Sequence, residues 1–315
     1  MAALGLLANG LVFSSIIVLG SIGLSLVYSI ADFANFAHGD TMTVGAYTTL
    51  VTFGAVGGVG GPSVLGLPAA FFLALSAGFA VAALVAVVTE KVVYDPLEVG
   101  SIGLLITSIG VAFIYRGLVQ MVFSAEPTRY GVQRLRPIES LIPYGVRVTY
   151  HDVAIVVTSV VLVGCLHALL QYTDLGRKMR AMADNPELAR VSGIRTDRIR
   201  LVTWTIGGGL AGVGGVFLGL FNRLSPRMGF NLLLLVFAAV ILGGIGSVYG
   251  AMLGGLLIGM IHEAMPLLSD VGELLPLVPD AFGVPIGIEY AEAVAFVIMV
   301  AVLLVRPTGI AGEGG

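Results

Sequence analysis

Apolar runs of about 20 residues recur along the chain, and this is the length that an α-helix needs to cross the hydrocarbon layer of a membrane. Hydrophobic residues make up 57% of the 315-residue sequence, whereas charged residues make up only 11%. Soluble domains contain about 25% charged residues, so the composition excludes an ordinary soluble protein. The sequence therefore predicts an all-α polytopic membrane protein, a single transmembrane domain over residues 1–315 without a large soluble domain.

The predicted number of membrane crossings is about nine, or eight to ten if one segment is re-entrant or split. Continuous spans are predicted at residues 5–30, 69–90, 101–123, 152–171, 201–221 and 290–305. A further run follows residue 41, and the apolar stretch 231–268 is long enough for two helices that meet at a glycine turn, or for one helix and a re-entrant half-helix.

Two apolar runs are interrupted by glycine-containing segments, one in each half of the chain. The first, NFAHG, covers residues 35–39, and the second, LGGIGS, covers residues 242–247. Broken helices in corresponding halves line the substrate path in transporter folds with internal repeats, although glycines that only allow close helix packing are the alternative. The candidate path residues are Asn35, Phe36, His38, Gly39, Thr41, Gly243, Gly244, Gly246 and Ser247.

The polar interval 172–200 holds seven of the sixteen basic residues of the chain. Within it, Asp184 or Asn185 can cap a helix, Pro186 suits the first helical position, and Gly193 can close the helix in a left-handed turn. A short capped helix is therefore predicted over residues 186–192, with an apolar surface for a soluble partner. The alternative is a plain loop whose arginines only orient the protein. The candidate contact residues of this helix and its caps are Asn185, Pro186, Leu188, Ala189, Val191 and Gly193.

Charge counting predicts the orientation of the chain. The interval 172–200 has seven basic residues and the polar segment 124–150, one span earlier, has four, so the positive-inside rule places 172–200 in the cytoplasm and 124–150 outside. The N-terminus is then outside and the C-terminus cytoplasmic. Residues 146–150, VRVTY, alternate and are predicted to form a surface strand, and Arg116, inside a span, is predicted to extend toward the membrane interface.

The usual sequence motifs of enzymes do not occur: there is no Walker A sequence, no GxSxG, no HExxH and no CxxC. The single cysteine and the four histidines have no ligand spacing, so no catalytic residue, metal, cofactor or nucleic-acid partner is expected. The spans also lack the ladder of carboxylates and lysines that is typical of proton-coupled carriers. Energy for transport would therefore come from a separate protein, and a passive channel for a small neutral solute remains the alternative.

Four segments, in the same order, resemble membrane permease subunits of ABC importers for branched-chain amino acids, specifically the LivH-like subunits. They are NFAHGDTMTVGAY at 35–47, GRKMRAMADNPELARVSGI at 176–194, AVILGGIGSVYGAMLGGLLIG at 239–259 and RPTGI at 306–310. The resemblance implies a plasma (inner) membrane importer with a paralogous permease subunit, two cytosolic ATP-binding subunits and an extracytoplasmic solute-binding protein.

The resemblance further implies that residues 186–192 form an ATPase-coupling helix, with Arg180 and Arg190 near the acidic rim of an ATPase cleft. Substrate would pass between the two permease subunits. Since similar proteins carry urea or short-chain amides, the resemblance leaves two substrate classes open: branched-chain or other hydrophobic amino acids, and urea or short amides.

Overall fold

Helices account for most of the chain in the computed structural model, which describes residues 2–58, 62–133, 135–274, 290–306 and 308–311. Eleven α-helices lie in these ranges. They are α1 (Ala2–Ala31), α2 (Ala37–Ala55), α3 (Ala69–Thr89), α4 (Ser101–Phe123), α5 (Tyr150–Tyr172), α6 (Asp174–Asp184), α7 (Pro186–Val191), α8 (Thr196–Phe221), α9 (Met228–Gly243), α10 (Val248–Leu274) and α11 (Ala291–Val305).

The remaining regular structure is short. Strands β1 (Ser63–Val64) and β2 (Leu67–Pro68) pair as a small antiparallel hairpin before α3. A π-helical turn, Glu90–Tyr94, extends α3, and a 3₁₀ helix covers Glu139–Tyr144. These few strand residues leave the all-α class predicted from the sequence intact.

Among the described residues, six helices are long and apolar enough to cross a membrane: α1, α3 with its extension, α4, α5, α8 and α10. Helices α9 and α11 are apolar but shorter, and α2 has 19 residues with several polar side chains. The predicted polytopic membrane class is thus confirmed. If α2, α9 and α11 also cross, the described ranges contain the nine crossings that the sequence predicts.

Helices α1 and α8 form the centre of the bundle. In their apolar stretches, 83% and 78% of the residues are buried, against 22% for α4 and 28% for α5. Helix α1 packs against α8, α9 and α10, and α8 also packs against α2 and α3. The outer helices α4 and α5 therefore present broad apolar faces to lipid or to another membrane subunit.

Glycine allows the close contact between α2 and α8. A Cβ atom added at Gly45 of α2 would overlap the backbone of Gly212 in α8, and one added at Gly215 would overlap the carbonyl group of Met42. Small residues at such crossings are typical of membrane helix packing. Lipid is as apolar as the side chains, so membrane helices associate largely through close van der Waals contact, which small residues allow.

The strand predicted at residues 146–150 is wrong. Residues 146–149 have no regular structure, and Tyr150 already begins α5. Thr149 and Asp152 form a capping box in which the Thr149 N–H donates to the Asp152 carboxylate at 2.8 Å. The helix cap thus uses the Thr149 N–H, and the backbone groups of Val146 and Val148 bond to Leu141 and Ile138, so they do not pair with a second strand.

Candidate functional site

Helix α2 begins inside the predicted NFAHG interruption, and side chains accept hydrogen bonds from two backbone N–H groups at its start. The Asn35 Oδ1 atom accepts from the Ala37 N–H at 3.0 Å, and the Ser108 hydroxyl of α4 accepts from the Phe36 N–H at 2.9 Å. Asn35 also accepts a 3.3 Å hydrogen bond from the Tyr94 hydroxyl. The start of α2 is therefore fixed to both α4 and the extension of α3.

The start of α2 lies deep within the helix bundle. A nitrogen of the His38 ring is 2.9 Å from the carbonyl oxygen of Gly20 in α1. Gly20 precedes the end of α1 by 11 residues, which is about 16 Å at about 1.5 Å per residue. The chain thus leaves α1 at Ala31, turns back into the bundle and begins a new helix there, the arrangement of a broken membrane helix.

Most candidate path residues of the first segment are buried within the subunit. Asn35, His38 and Thr41 are each less than 5% exposed, and the Thr41 hydroxyl donates to the Ala37 carbonyl at 3.0 Å. Gly39 faces the backbone of Gly229 in α9 so closely that a Cβ there would overlap it. Phe36 alone of the five is partly exposed.

The second segment forms a tight glycine turn between α9 and α10, one of the two arrangements considered for it. Gly244 and Gly246 have φ angles of +110° and +84°, which favour glycine, and the Ser247 hydroxyl accepts from the Gly250 N–H at 3.0 Å. The Ile310 N–H bonds to the Leu242 carbonyl at 2.9 Å, so the end of the chain pairs with this turn.

The structure does not bring the two segments together at one site. Gly246 and Ser247 line a cavity of about 560 Å³ together with Asp32 at the end of α1 and Arg180 of α6. Residues 35–41 instead contact α1, α4, α9 and Tyr94. In the part of the chain that the structure describes, no three His, Cys, Asp or Glu side chains converge to hold a metal ion.

A buried ion pair joins α2 to α4. The Arg116 Nε and Nη2 atoms donate to the two carboxylate oxygens of Asp40 at 3.1 and 2.9 Å. Asp40 is 1% exposed and Arg116 12% exposed, and the guanidinium lies 4.3 Å from the Phe230 ring centroid and 5.3 Å from that of Phe113. Arg116 therefore does not extend to the membrane interface as predicted, because a carboxylate inside the bundle provides a nearer partner.

A second ionic cluster lies near the start of α8. Arg200 donates to Asp95 at 2.8 Å and to Glu90 at 3.5 Å, and the Glu90 side chain is only 4% exposed. Trp204, one turn further along α8, stacks against Tyr94 with ring centroids 5.5 Å apart. Since Tyr94 bonds to Asn35, this cluster connects α8 to the start of α2.

Helix α7 has the caps that the sequence predicts. The Asn185 side chain accepts from the Leu188 N–H at 2.9 Å, Pro186 occupies the first turn, and Gly193 has a φ angle of +84°. The helix ends at Val191, one residue before the predicted end.

The exposed surface of α7 differs from the predicted one. Leu188 is 63% exposed and Val191 86% exposed, but Ala189 is only 3% exposed and belongs to the hydrophobic core. Arg190 is exposed, and Arg180 on α6 donates to the Leu170 carbonyl at the end of α5. The apolar surface therefore consists of Leu188 and Val191, while Ala189 attaches α7 to the rest of the chain.

The segment between α4 and α5 is tied to the membrane helices. Thr128 and Leu224 exchange two backbone hydrogen bonds of 2.9 and 3.0 Å. The Tyr130 hydroxyl donates to the Ala46 carbonyl of α2 at 3.2 Å, and burial raises the pKa of Tyr130 well above its usual value. Tyr130 thus stays neutral and anchors this segment to the end of the bundle opposite α7.

Comparisons with known proteins cover almost the whole chain. The sequence model of a family described as branched-chain amino acid transport system, permease component, matches residues 6–303. The high-affinity branched-chain amino acid transport system permease protein BraD of Pseudomonas aeruginosa is 32% identical over 98% of this chain and 95% of its own length. LivH of Escherichia coli, with the same description, is 30% identical over 97% of this chain and 94% of its own length.

A more distant relative matches the sequence over nearly its full length, whereas the structural comparison gives only a weak match. A probable branched-chain amino acid transport permease protein LivH of Methanocaldococcus jannaschii is 28% identical over 98% of this chain and 92% of its own length. The solved structure of PsaBC from Streptococcus pneumoniae in complex with Fab aligns over 96% of this chain and 92% of its own, with 14% identity. Its TM-score of 0.42 is too low to show a shared fold.

Proposed function

Since the chain belongs to the family of permease components of branched-chain amino acid transport systems, we propose that it is the membrane subunit of an ATP-driven ABC importer for branched-chain or other hydrophobic amino acids. Similarity to its relatives extends over nearly the whole chain, which supports one transmembrane permease domain over residues 1–315. The proposed partners are a paralogous permease, two cytosolic ATP-binding subunits and an extracytoplasmic solute-binding protein.

The observation that carries this proposal is the exposed apolar surface of α7. Leu188 and Val191 project from a capped six-residue helix while Ala189 holds it to the bundle. Apolar side chains exposed on one face of a helix can enter an apolar groove of a partner protein. Because the chain has no Walker A sequence, an ATPase that docks here would supply the energy.

Movement of α7 would reach the start of α2 through contacts already described. Four residues separate α7 from α8, and Arg200 near the start of α8 holds Glu90 and Asp95. The adjacent Tyr94 holds Asn35 at the start of α2. Closure of the ATPase pair on ATP would thus shift α8 and the broken helix α2 together, opening the path alternately to the two sides.

In this mechanism, the two glycine-containing segments, 35–41 and 243–247, have different structural roles. Residues 35–41 would hold the broken helix beside the path, with Phe36 facing it, and residues 243–247 would form a turn at the cytoplasmic cavity beside Arg180. Segment 124–150 would then face the solute-binding protein, the N-terminus would lie outside and the C-terminus in the cytoplasm. The two candidate segments would therefore mark successive points of one path.

The test is uptake of labelled leucine and of labelled urea by cells with and without this gene, each repeated after ATP depletion. We expect leucine uptake that requires both the gene and ATP. Energy-dependent urea uptake would keep the architecture and change the substrate class to urea or short amides. Uptake that survives ATP depletion would indicate a passive channel and contradict the role given to α7.

A further inference from the structure

Phenylalanine rings from α4, α9 and the start of α2 lie close together on one side of α2, against which both α4 and α9 pack. Phe36 packs against Phe237 with ring centroids 4.8 Å apart and the rings tilted by 42°, and Phe113 and Phe230 flank the guanidinium of Arg116. Phe230 and Phe237 are seven residues apart on α9, so their side chains share a face. Phe113 is 65% exposed and Phe230 38% exposed, while Phe36 and Phe237 are partly exposed. These four rings define the aromatic groove.

The Asp40–Arg116 ion pair lies in the same groove. Asp40 follows Phe36 by four residues on α2, which places it on the same side one turn further along. Among the described residues, Arg116 uses Nε and Nη2 to bond Asp40, and its Nη1 atom donates no hydrogen bond to them. The groove thus combines apolar walls, one carboxylate and a guanidinium with free donors.

A charge pair inside a bundle of membrane helices costs free energy to insert, so its presence calls for a functional explanation. Ionisable side chains within membrane spans are expensive to insert, and those present mark substrate or ion pathways by default. Replacing a buried pair with apolar residues of similar volume is often neutral or stabilising, so stability alone gives little reason to keep it. Phe113 and Phe230, the rings beside the pair, are partly exposed, so the pair lies close to the surface of this subunit.

We infer that the aromatic groove binds an α-amino acid in its zwitterionic form. The substrate carboxylate would bond the Arg116 guanidinium, the ammonium group would bond Asp40, and the apolar side chain would lie between the phenylalanine rings. One ion pair is exchanged for two, so no charge is left without a partner when the substrate enters or leaves. This inference rests on the proposed function and narrows it, because urea has no charges with which to replace either partner.

The decisive variant neutralises both partners, Asp40→Asn together with Arg116→Gln. If the pair only joins α2 to α4, the uncharged Asn and Gln side chains still hydrogen-bond to each other, and the fold and leucine binding stay intact. If the pair binds substrate, the double variant assembles but no longer recognises the zwitterion. Each single variant is uninformative by comparison, since it leaves one buried charge without a partner.

The measurement is equilibrium binding of labelled leucine to the purified complex of both permease subunits and the ATP-binding subunits. Unlabelled leucine should displace the label at least 10-fold better than leucinol, which lacks the carboxylate, or 4-methylpentanoate, which lacks the ammonium group. The double variant should bind leucine at least 10-fold more weakly, with its thermal unfolding midpoint close to that of the wild type. Equal displacement by the three compounds, or unchanged affinity of the double variant, would overturn the inference.

Phe113→Ala provides an independent variant, because this side chain is mostly exposed and its loss does not disturb the core. It should weaken leucine binding several-fold more than alanine binding, and equal effects on both would also overturn the inference.

Uptake in cells distinguishes failure of the groove from failure of the proposed importer function. Energy-dependent leucine uptake that the double variant retains would reject the groove and keep the importer, whereas a wild type without such uptake would reject the importer itself.

Discussion

The Arg200 guanidinium donates a 2.8 Å hydrogen bond to the carboxylate of Asp95, and this contact joins the start of α8 to the end of the extension of α3. Glu90, at 3.5 Å from the same guanidinium, is far more buried than Asp95, with 4% of its side chain exposed against 57%. Arg200 is therefore the charge that allows a buried carboxylate at this position, in addition to its surface contact with Asp95.

Arg200→Gln should lower stability and transport together. The variant leaves Glu90 without its counter-charge, and we expect the free energy of unfolding to fall by about 1–3 kcal/mol, the cost of leaving a buried polar group unpaired. ATP-dependent uptake should fall at least 10-fold, because α8 loses its ionic contacts with the extension of α3, whose Tyr94 bonds to Asn35 at the start of α2. Thermal unfolding of the purified complex and uptake in vesicles measure the two effects.

Asp95→Asn is the matched control for Arg200→Gln. Asp95 is more than half exposed, so the loss of its charge should change stability by less than about 1 kcal/mol. If both substitutions had the same small effect, the cluster would be an ordinary surface ion pair and would not transmit movement from α7.

Leu188→Glu combined with Val191→Glu should abolish coupling without affecting the fold. Both side chains are exposed, so the charged replacements cost little within this chain, but they would place two carboxylates in the proposed ATPase contact. We expect normal insertion into the membrane, loss of co-purification with the ATP-binding subunits and loss of ATP-dependent uptake. Wild-type uptake by this variant would contradict the assignment of α7.

Ala189→Glu should behave differently from the Leu188 and Val191 variants. Ala189 is 3% exposed, and a charge there would be buried against the core, so the variant should be unstable for reasons unrelated to an ATPase. The yield of folded protein should therefore be low for Ala189→Glu and normal for the Leu188→Glu, Val191→Glu variant. This difference would show which face of α7 packs against the bundle and which is free.

Asn185→Ala should loosen α7 by removing its N-cap. The loss of such a cap typically costs about 1 kcal/mol, which is about a 5-fold change in an equilibrium constant. Amide hydrogen exchange of residues 187–191 should speed up by roughly that factor, and uptake should decrease. Asn185→Asp is the control, because aspartate caps as well as asparagine; equal exchange in both variants would show that the cap is dispensable.

Local signals predict the parts of this structure that depend on neighbouring residues. The caps of α7 lie within nine residues, from Asn185 to Gly193. The start of α2 follows from a polar, glycine-containing segment that interrupts an apolar run. The spacing of Leu188 and Val191 also puts them on one face. It does not show which face turns toward the bundle, and for this reason the burial of Ala189 was not predicted.

Contacts between distant residues explain what the sequence does not predict. Asp40 and Arg116 are 76 residues apart, and Glu90 and Arg200 are 110 apart, so only the packing of the helices shows that they pair. A carboxylate in the first turn of a predicted span does signal that a cation must lie nearby. Arg116, which also lies within a predicted span, could have been matched to Asp40 on that ground.

Gly45→Ala and Gly110→Ala should have opposite effects although both glycines lie in membrane helices. A Cβ at Gly45 would overlap the Gly212 backbone, so α2 and α8 must separate, and overpacking of this kind typically costs about 1–3 kcal/mol. A Cβ at Gly110 in α4 meets no atom within 4 Å, and alanine in place of glycine favours a helix by up to about 1 kcal/mol. Thermal unfolding of both variants in the same detergent measures the difference. We expect the midpoint to fall for Gly45→Ala and to stay equal or rise for Gly110→Ala; a fall of similar size in both would mean that α4 is packed against another subunit in the assembled transporter.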